Sequence, residues 1–340
     1  MKIGLPAEIK DGERRVALLP EAVGRLAQAG HEIVVEAGAG ARCGFADALY
    51  LATGARIVAT AAAAFDADLV VKVKEIQHGE WQHLRPSSML FCYLQLITGG
   101  QMTDALLQKR VTGLAFETVE SADGGLPLLK PMSVIAGELA VPIAAHLLMT
   151  PQGGRGVMLR DARVVILGAG SAGCAAAGVA AQIGAAVTLL SRAGKRLEQA
   201  RGQLPAAIDI QPVSGQALAA ALQDADVLIG AINVPGAPTP KLVTRDSLRT
   251  MGPGGVFIDI CIDGGGVAES SRPTKHSAPT FVDEGVIHYC VANMPAAVPQ
   301  SASKALSVAI TPYVESLAAN GLTRALRADP GLAAGLQMHG

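Results

Sequence analysis

The sequence predicts an α/β protein of two domains, each built on a mostly parallel, doubly wound sheet. Three observations carry this. Half of the 340 residues are hydrophobic, 17% are charged and 3% are aromatic, which suits strands and helices packed in layers and not a disordered chain. Short apolar runs alternate with helical stretches, the βαβα rhythm of parallel sheets. The run Gly168-Ala169-Gly170-Ser171-Ala172-Gly173 then sits directly between an apolar segment and an alanine-rich one.

The elements follow in order. KIGLP is a strand, and residues 20–29, PEAVGRLAQA, are a helix with Pro20 at its first position and Gly30 beyond its end. HEIVVEAG is a strand, FADALYLATGA a helix, DLVVKV a strand and MLFCYLQL another strand. TDALLQKR is a helix and GLAFETV a strand. Residues 132–149 form a long apolar helix despite Pro142, followed by the loop PQGGRG. A second βαβ series starts at Val164 and continues through VTLL, DVLIGAI, GGVFIDICID and IHYCVANMP. Residues 301–318 are a connecting helix, and the short helical tail returns to the first domain. The expected division is residues 1–127 with 300–340, and 128–299, which holds the glycine run.

From Val164 to Ser191 no residue is charged, a length that would suit a membrane span. Glycines at 168, 170, 173 and 184 break it, and strand, turn, buried helix and strand explain it better. The N-terminal segment MKIGLPAEIKDGERR lacks a signal-peptide core, so the expectation is a cytoplasmic protein without a membrane partner. A formal net charge of −1 and no basic run argue against nucleic acid. The cysteines, Cys43, Cys92, Cys174, Cys261 and Cys290, are scattered without a CxxC, so reduced thiols are expected and no metal site.

The glycine motif has the context of a Rossmann dinucleotide-binding turn. Gly168 permits the tight turn, Gly170 lets the backbone approach a pyrophosphate, and Gly173 allows close helix–strand packing. Ala172 lies in the first turn of the helix, whose free N–H groups and partial positive charge favour phosphate. About twenty residues on, NAD-binding domains place an acidic residue that accepts from both ribose hydroxyls and repels a 2′-phosphate. Here that place holds Ser191, followed by Arg192, Lys195 and Arg196. A serine hydroxyl and guanidinium groups suit a 2′-phosphate, so NADP(H) is the preferred cofactor, with NAD(H) as the second choice. The alternative is that these cations form a solvated loop face.

Further stretches share a pattern: GLPAEIKDGERRVALLP, DLVVKVKE, FETVESADGGLPLLKPMS, GGRGV, VPGAPTPKLV, IDICIDGGG, SRPT and VANMPAAVP. With LGAGSAG, these make the chain resemble the alanine dehydrogenase and transhydrogenase α-subunit family from end to end. The resemblance implies interconversion of an L-amino acid with a 2-oxo acid and ammonia, and a homo-oligomer, hexamer or dimer. It places Arg15 and Lys74 at the substrate carboxylate and carbonyl. A 2-oxo acid does need cations for its carboxylate and a donor for its carbonyl, and Lys74 lies at a strand end with Lys72 on the same face. The resemblance also implies that Asp263 is the catalytic aspartate, while Asp259 reads as structural. Ser133, Ile232, Asn233, Asn293 and Met294 fall at cofactor-contacting positions, and Glu117 matches without a defined role.

Four departures bear on the chemistry. Where the family carries a catalytic histidine, FCYLQL places Gln95, which donates a hydrogen bond but does not titrate near neutral pH. His78 and His83, in the preceding connection, do not replace it in sequence. Val134 stands where the family has an acidic residue, Lys304 where it has a tyrosine, and Ser191 where it has the NAD-specific aspartate. Proton movement then falls to Asp263 or Lys74. Three readings follow: an NADP-dependent amino-acid dehydrogenase, an NADPH-dependent imine reductase joining a 2-oxo acid and an amine (as in carboxyethyl-ornithine synthase and saccharopine dehydrogenase relatives), and a catalytically weak nucleotide-binding module.

Overall fold

Two seven-stranded sheets organise the chain, seen in a computed structural model that describes residues 1–96, 100–234 and 237–339. The compact units are Met1–Met132 with Ala296–Gly340, and Ser133–Pro295, against sequence boundaries placed at 127/128 and 299/300.

The first unit contains β1 (Lys2–Leu5), β2 (Glu32–Glu36), β3 (Arg56–Val58), β4 (Leu69–Lys74), β5 (Met89–Tyr93), β6 (Thr112–Ala115) and β14 (Leu336–Met338). Their order is β14-β6-β5-β4-β1-β2-β3, parallel throughout except for β14, which runs antiparallel to β6. Its helices are α1 (Pro20–Gln28), α2 (Asp47–Ala52), α3 (Ala61–Phe65), α4 (Gly100–Gln108), α10 (Pro299–Ala328) and α11 (Pro330–Ala334). Helix α5 (Lys130–Leu147) leads into the second unit.

The second unit contains β7 (Arg163–Leu167), β8 (Ala186–Ser191), β9 (Asp209–Pro212), β10 (Val227–Gly230), β11 (Val256–Asp259), β12 (Thr280–Asp283) and β13 (Val286–Tyr289). Between them lie α6 (Ser171–Ile183), α7 (Lys195–Gln203), α8 (Gly215–Leu222) and α9 (Arg245–Arg249). The order β12-β13-β11-β10-β7-β8-β9, with only β12 antiparallel, repeats the plan of the first sheet. In each, the first strand of the unit lies centrally and the order reverses beside it, which opens a crevice at the carboxyl ends of the strands.

Alternation along the strands buries both faces of the second sheet. Val164 and Ile166 of β7, Val227 and Ile229 of β10, and Val256 and Ile258 of β11 enter one apolar cluster. Val165, Leu167, Leu228 and Phe257 enter the cluster on the other side. Burial of each such side chain contributes about 1.5–3 kcal/mol.

Several local expectations are corrected. MLFCYLQL does not stay in the sheet to residue 96: β5 ends at Tyr93, because Glu117 captures the next backbone donors. GLAFETV is a strand only to Ala115, where the chain tightens into a 3-10 turn at Phe116–Thr118. The helix expected over 301–318 extends from Pro299 to Ala328, broken at Gly321, whose φ of 70° is left-handed. The tail is not wholly helical, since Leu336–Met338 adds to the sheet edge. No helix among the described residues is long and apolar enough to cross a membrane.

Candidate active site and nucleotide site

In the first unit the chemistry-bearing side chains follow the carboxyl ends of β1, β4, β5 and β6. After β1 the chain carries Glu8, Glu13 and Arg15, all buried. The Arg15 guanidinium forks onto Glu13, with Nε donating to Oε1 at 2.7 Å and Nη2 to Oε2 at 2.5 Å. Its Nη1 donates to Met132 Sδ at 3.0 Å. Burial works against the arginine charge, but Glu13 outweighs it and holds the pKa above its ordinary value. The side chain is therefore a fixed cation with a set plane. Val16 and Leu19 N–H groups donate to Ser303 and Ser307 of α10, each at 3.0 Å, which anchors the segment beyond.

On β4, Lys72 and Lys74 are both buried, at 1% and 5% exposure, yet their surroundings differ. Lys72 Nζ lies 2.5 Å from Glu80 Oε1 and 3.4 Å from Glu8 Oε2. Burial opposes its charge, and the two carboxylates more than offset that. The other oxygen of Glu8 accepts from Val73 N–H at 2.7 Å and Lys74 N–H at 3.3 Å. Lys72 is thus a buried ion-pair member that ties β4 to the loop after β1, and Lys74 ends the strand beside it.

Gln95 follows β5 with φ of 50°, a left-handed conformation that costs about 1–3 kcal/mol and persists only where neighbours impose it. Glu117, in the 3-10 turn after β6, imposes it: Oε1 accepts from Gln95 N–H at 2.6 Å and Oε2 from Leu94 N–H at 3.2 Å. Burial pushes the Glu117 carboxyl above the usual range, against these donors and the charge of Lys74. His78 is exposed and His83 half-buried, in a 3-10 segment packed on Phe65 and Trp81.

In the second unit the glycine turn has the form a dinucleotide requires. Gly168 has φ of 113°, and a Cβ there would meet Ala231 O at 2.4 Å. A Cβ on Gly173 would lie 1.8 Å from Gly168 O, so α6 seats on the turn only through glycine. A Cβ on Gly170 would meet nothing within 4 Å, and that open space above the start of α6 fits a pyrophosphate. Gly137 of α5 packs on the same turn, since a Cβ there would lie 2.1 Å from Ala172 O. Ser133 is one helical turn earlier on that face. Gly168 N–H donates to Leu190 O at 2.8 Å, so Ser191 ends β8 next to the turn. Arg192, Lys195 and Arg196 are exposed. They form no ion pair among the described residues, whereas Arg201 is held by Glu198 at 2.8 Å.

Ile232 and Asn233 follow β10, and Ile232 N–H donates to Cys261 Sγ at 2.9 Å. Pro235 and Gly236 of the quoted VPGAPTPKLV stretch lie outside the described residues. Asp263 is exposed in a 3-10 turn after β11. That loop is built around Asp259, fully buried, which accepts from Cys261 N–H and Val267 N–H, both at 3.0 Å, and from Ser271 Oγ at 2.5 Å. Asn293 has φ of 69°, and its carbonyl lies 3.2 Å from His276 Nε2. Met294 is buried. Among the described residues no three His, Cys, Asp or Glu side chains are grouped to hold a metal ion.

Sequence reasoning missed Glu8, Glu13, Met132 and His276. Glu13 had a signal, since it lies two residues from Arg15, but Glu8 and His276 act on segments distant in the chain.

Fold and glycine turn place the chain in a class of two-unit α/β proteins with a dinucleotide-binding turn. Residues 4–136 match the description "Alanine dehydrogenase/PNT, N-terminal domain", and residues 140–340 match "Alanine dehydrogenase/PNT, C-terminal domain". The chain belongs to this alanine dehydrogenase/PNT family. It is 44% identical to an alanine dehydrogenase of Halomonas elongata and 45% to one of Mycobacterium tuberculosis, with 100% of this chain and 93% of each relative covered. A solved L-alanine dehydrogenase superposes with a TM-score of 0.95 at 40% identity, covering 100% of this chain and 95% of that one. A transhydrogenase from Sinorhizobium meliloti gives 0.87 at 25% identity, covering 100% and 99%. Family members use a nicotinamide dinucleotide, and the glycine turn fits one.

Proposed function

We propose that this chain is an NADP(H)-preferring amino-acid dehydrogenase, an oxidoreductase of the CH–NH2 class that reductively aminates a small 2-oxo acid. Its relatives, alanine dehydrogenases across the whole chain, support the reaction class. The observation that supports the cofactor preference is the end of β8, where Ser191 and three exposed cations stand in place of a carboxylate. The nicotinamide supplies or accepts the hydride when bound. Arg15, held in one plane by Glu13, binds the substrate carboxylate, and Lys74 polarises the carbonyl or iminium. Gln95 donates a hydrogen bond to the same oxygen. Asp263 holds or moves the proton of the incoming nitrogen. Ser133, Gly168, Gly170, Ala172 and Gly173 seat the nucleotide phosphates, with Ser191, Arg192 and Arg196 at the 2′-phosphate. Ile232, Asn233, Asn293 and Met294 line the nicotinamide. In this reading the enzyme is a cytoplasmic homo-oligomer, consistent with five free thiols.

Gln95 favours a second reading, a reductase that takes a preformed imine from a 2-oxo acid and an amino-acid amine, because such a substrate needs no titrating group at that position. NADPH oxidation with pyruvate and ammonium, run beside NADH, tests the first. A kcat/KM for NADH equal to or above that for NADPH removes the cofactor assignment. Turnover only when amino acids replace ammonium selects the second reading.

A further inference from the structure

The Leu94–Gln95 turn hangs on one carboxylate. Both oxygens of Glu117 are engaged by consecutive backbone N–H groups, at 3.2 and 2.6 Å, from a chain segment twenty-odd residues away, and the second donor belongs to a residue held at φ 50°. An ionised carboxylate accepts at both oxygens, whereas a protonated one turns an acceptor into a donor facing an N–H. We propose that Glu117 is a positioning residue of the substrate site: its ionised carboxylate pins the turn that presents the Gln95 amide, so that protonation of Glu117 sets the acid limb of activity. This rests on the reading of Gln95 as a donor to substrate in an amino-acid dehydrogenase.

The groups facing Glu117 support this. From β4, the charge of Lys74 favours the anion; from β5 come Cys92 and Tyr93. Both are buried, and burial holds thiol and phenol well above their ordinary pKa values, so they stay neutral while Glu117 titrates. Gln337 of β14 is neutral and donates to Thr118 Oγ1 at 3.0 Å, and His339 bonds Thr112, at the far end of β6. Burial holds the Glu117 carboxyl above the ordinary carboxylate range.

The test is Glu117→Gln in the full chain, with Glu117→Asp as the charge-retaining partner. Two readouts are needed: kcat and KM with pyruvate and ammonium across roughly pH 5–8, and hydrogen exchange of the 91–96 peptide against that of 112–115. In the wild type kcat falls with acidification through a pKa above the ordinary carboxylate range. Glu117→Gln lowers kcat roughly tenfold or more, changes KM for pyruvate less than kcat because Arg15 and Lys74 are retained, and erases the limb. Exchange over 91–96 accelerates selectively, and Glu117→Asp recovers part of both. A limb that persists in Glu117→Gln, with wild-type kcat, overturns the proposal, as does unchanged exchange over 91–96. If the wild type does not turn over pyruvate and ammonium, the substrate reading fails by itself. Exchange then decides the positioning role alone: acceleration upholds it and no change overturns it.

Discussion

Replacing Ser191 with aspartate is the most direct test of what the end of β8 holds. The side chain at 191 is half-buried at the end of the strand. The backbone is fixed on both sides, because Gly168 N–H donates to Leu190 O and Val213 N–H to Ser191 O, each at 2.8 Å. Ser191→Asp should therefore change the charge without moving the chain. Two effects act against NADPH. A hydroxyl donor to the 2′-phosphate is lost, and hydrogen bonds to charged groups contribute about 1.5–3 kcal/mol. A carboxylate there would also repel a bound 2′-phosphate, by about 0.7–4 kcal/mol per charge pair for separations of about 4–6 Å and an effective dielectric constant between about 20 and 80. Arg192 and Arg196 remain and offset part of this. A net change of about 2–4 kcal/mol shifts the NADPH-to-NADH ratio by roughly thirty- to several-hundredfold. The assay is Kd for both nucleotides by titration calorimetry, followed by the ratio of kcat/KM values. A ratio that stays within about threefold (about 0.7 kcal/mol) would show that nothing at 191 senses the 2′-phosphate, and the cations would revert to a solvated face.

Two other outcomes test the first unit. Gln95→His should raise kcat with pyruvate and ammonium by at least about tenfold, since a positioned acid or base contributes about 10²–10⁴, and should add a pH dependence near about 6.5. No gain, with loss of activity on another amine, would assign the glutamine to different chemistry. Lys72→Met leaves Glu8 and Glu80 buried without their cation and should cost about 3–5 kcal/mol, about 6–20 °C in Tm at about 2–4 °C per kcal/mol. Burial raises the Glu8 carboxyl, and without Lys72 to oppose this it takes up a proton in the folded state more readily than in the unfolded chain. The deficit is therefore smallest at acid pH and grows as pH rises through the folded pKa. Calorimetric scans at several pH values give both quantities, and a deficit under about 1 kcal/mol would show the pair to be replaceable.

What the sequence makes legible follows the range of the interactions involved. The turn from β7 to α6 is written within six consecutive residues, and the structure places Gly168 and Gly173 where a Cβ would strike backbone, with open space at Gly170. Largely unbroken apolar runs mark β4 and β7 because both of their faces are buried. The end of β5 is different. FCYLQL is apolar enough to continue as a strand, and what stops it is the carboxylate of Glu117, a contact no local pattern encodes. Likewise Lys72 and Lys74 look equivalent by period, and only the fold brings Glu8 and Glu80 to Lys72. Short elements such as Arg56–Val58 and Leu336–Met338 escape because three residues carry too little periodicity.

The first sheet is completed by β14, and the segment after Arg15 is anchored by Ser303 and Ser307. All of these belong to residues translated after the whole second unit. On the ribosome, the second unit can therefore close while the first waits with β6 as an open edge and with the Arg15 segment unanchored. Strand edges left open in this way invite wrong partners. The chain's order thus lets the second unit finish folding before the sheet edge and the Arg15 segment of the first can be completed.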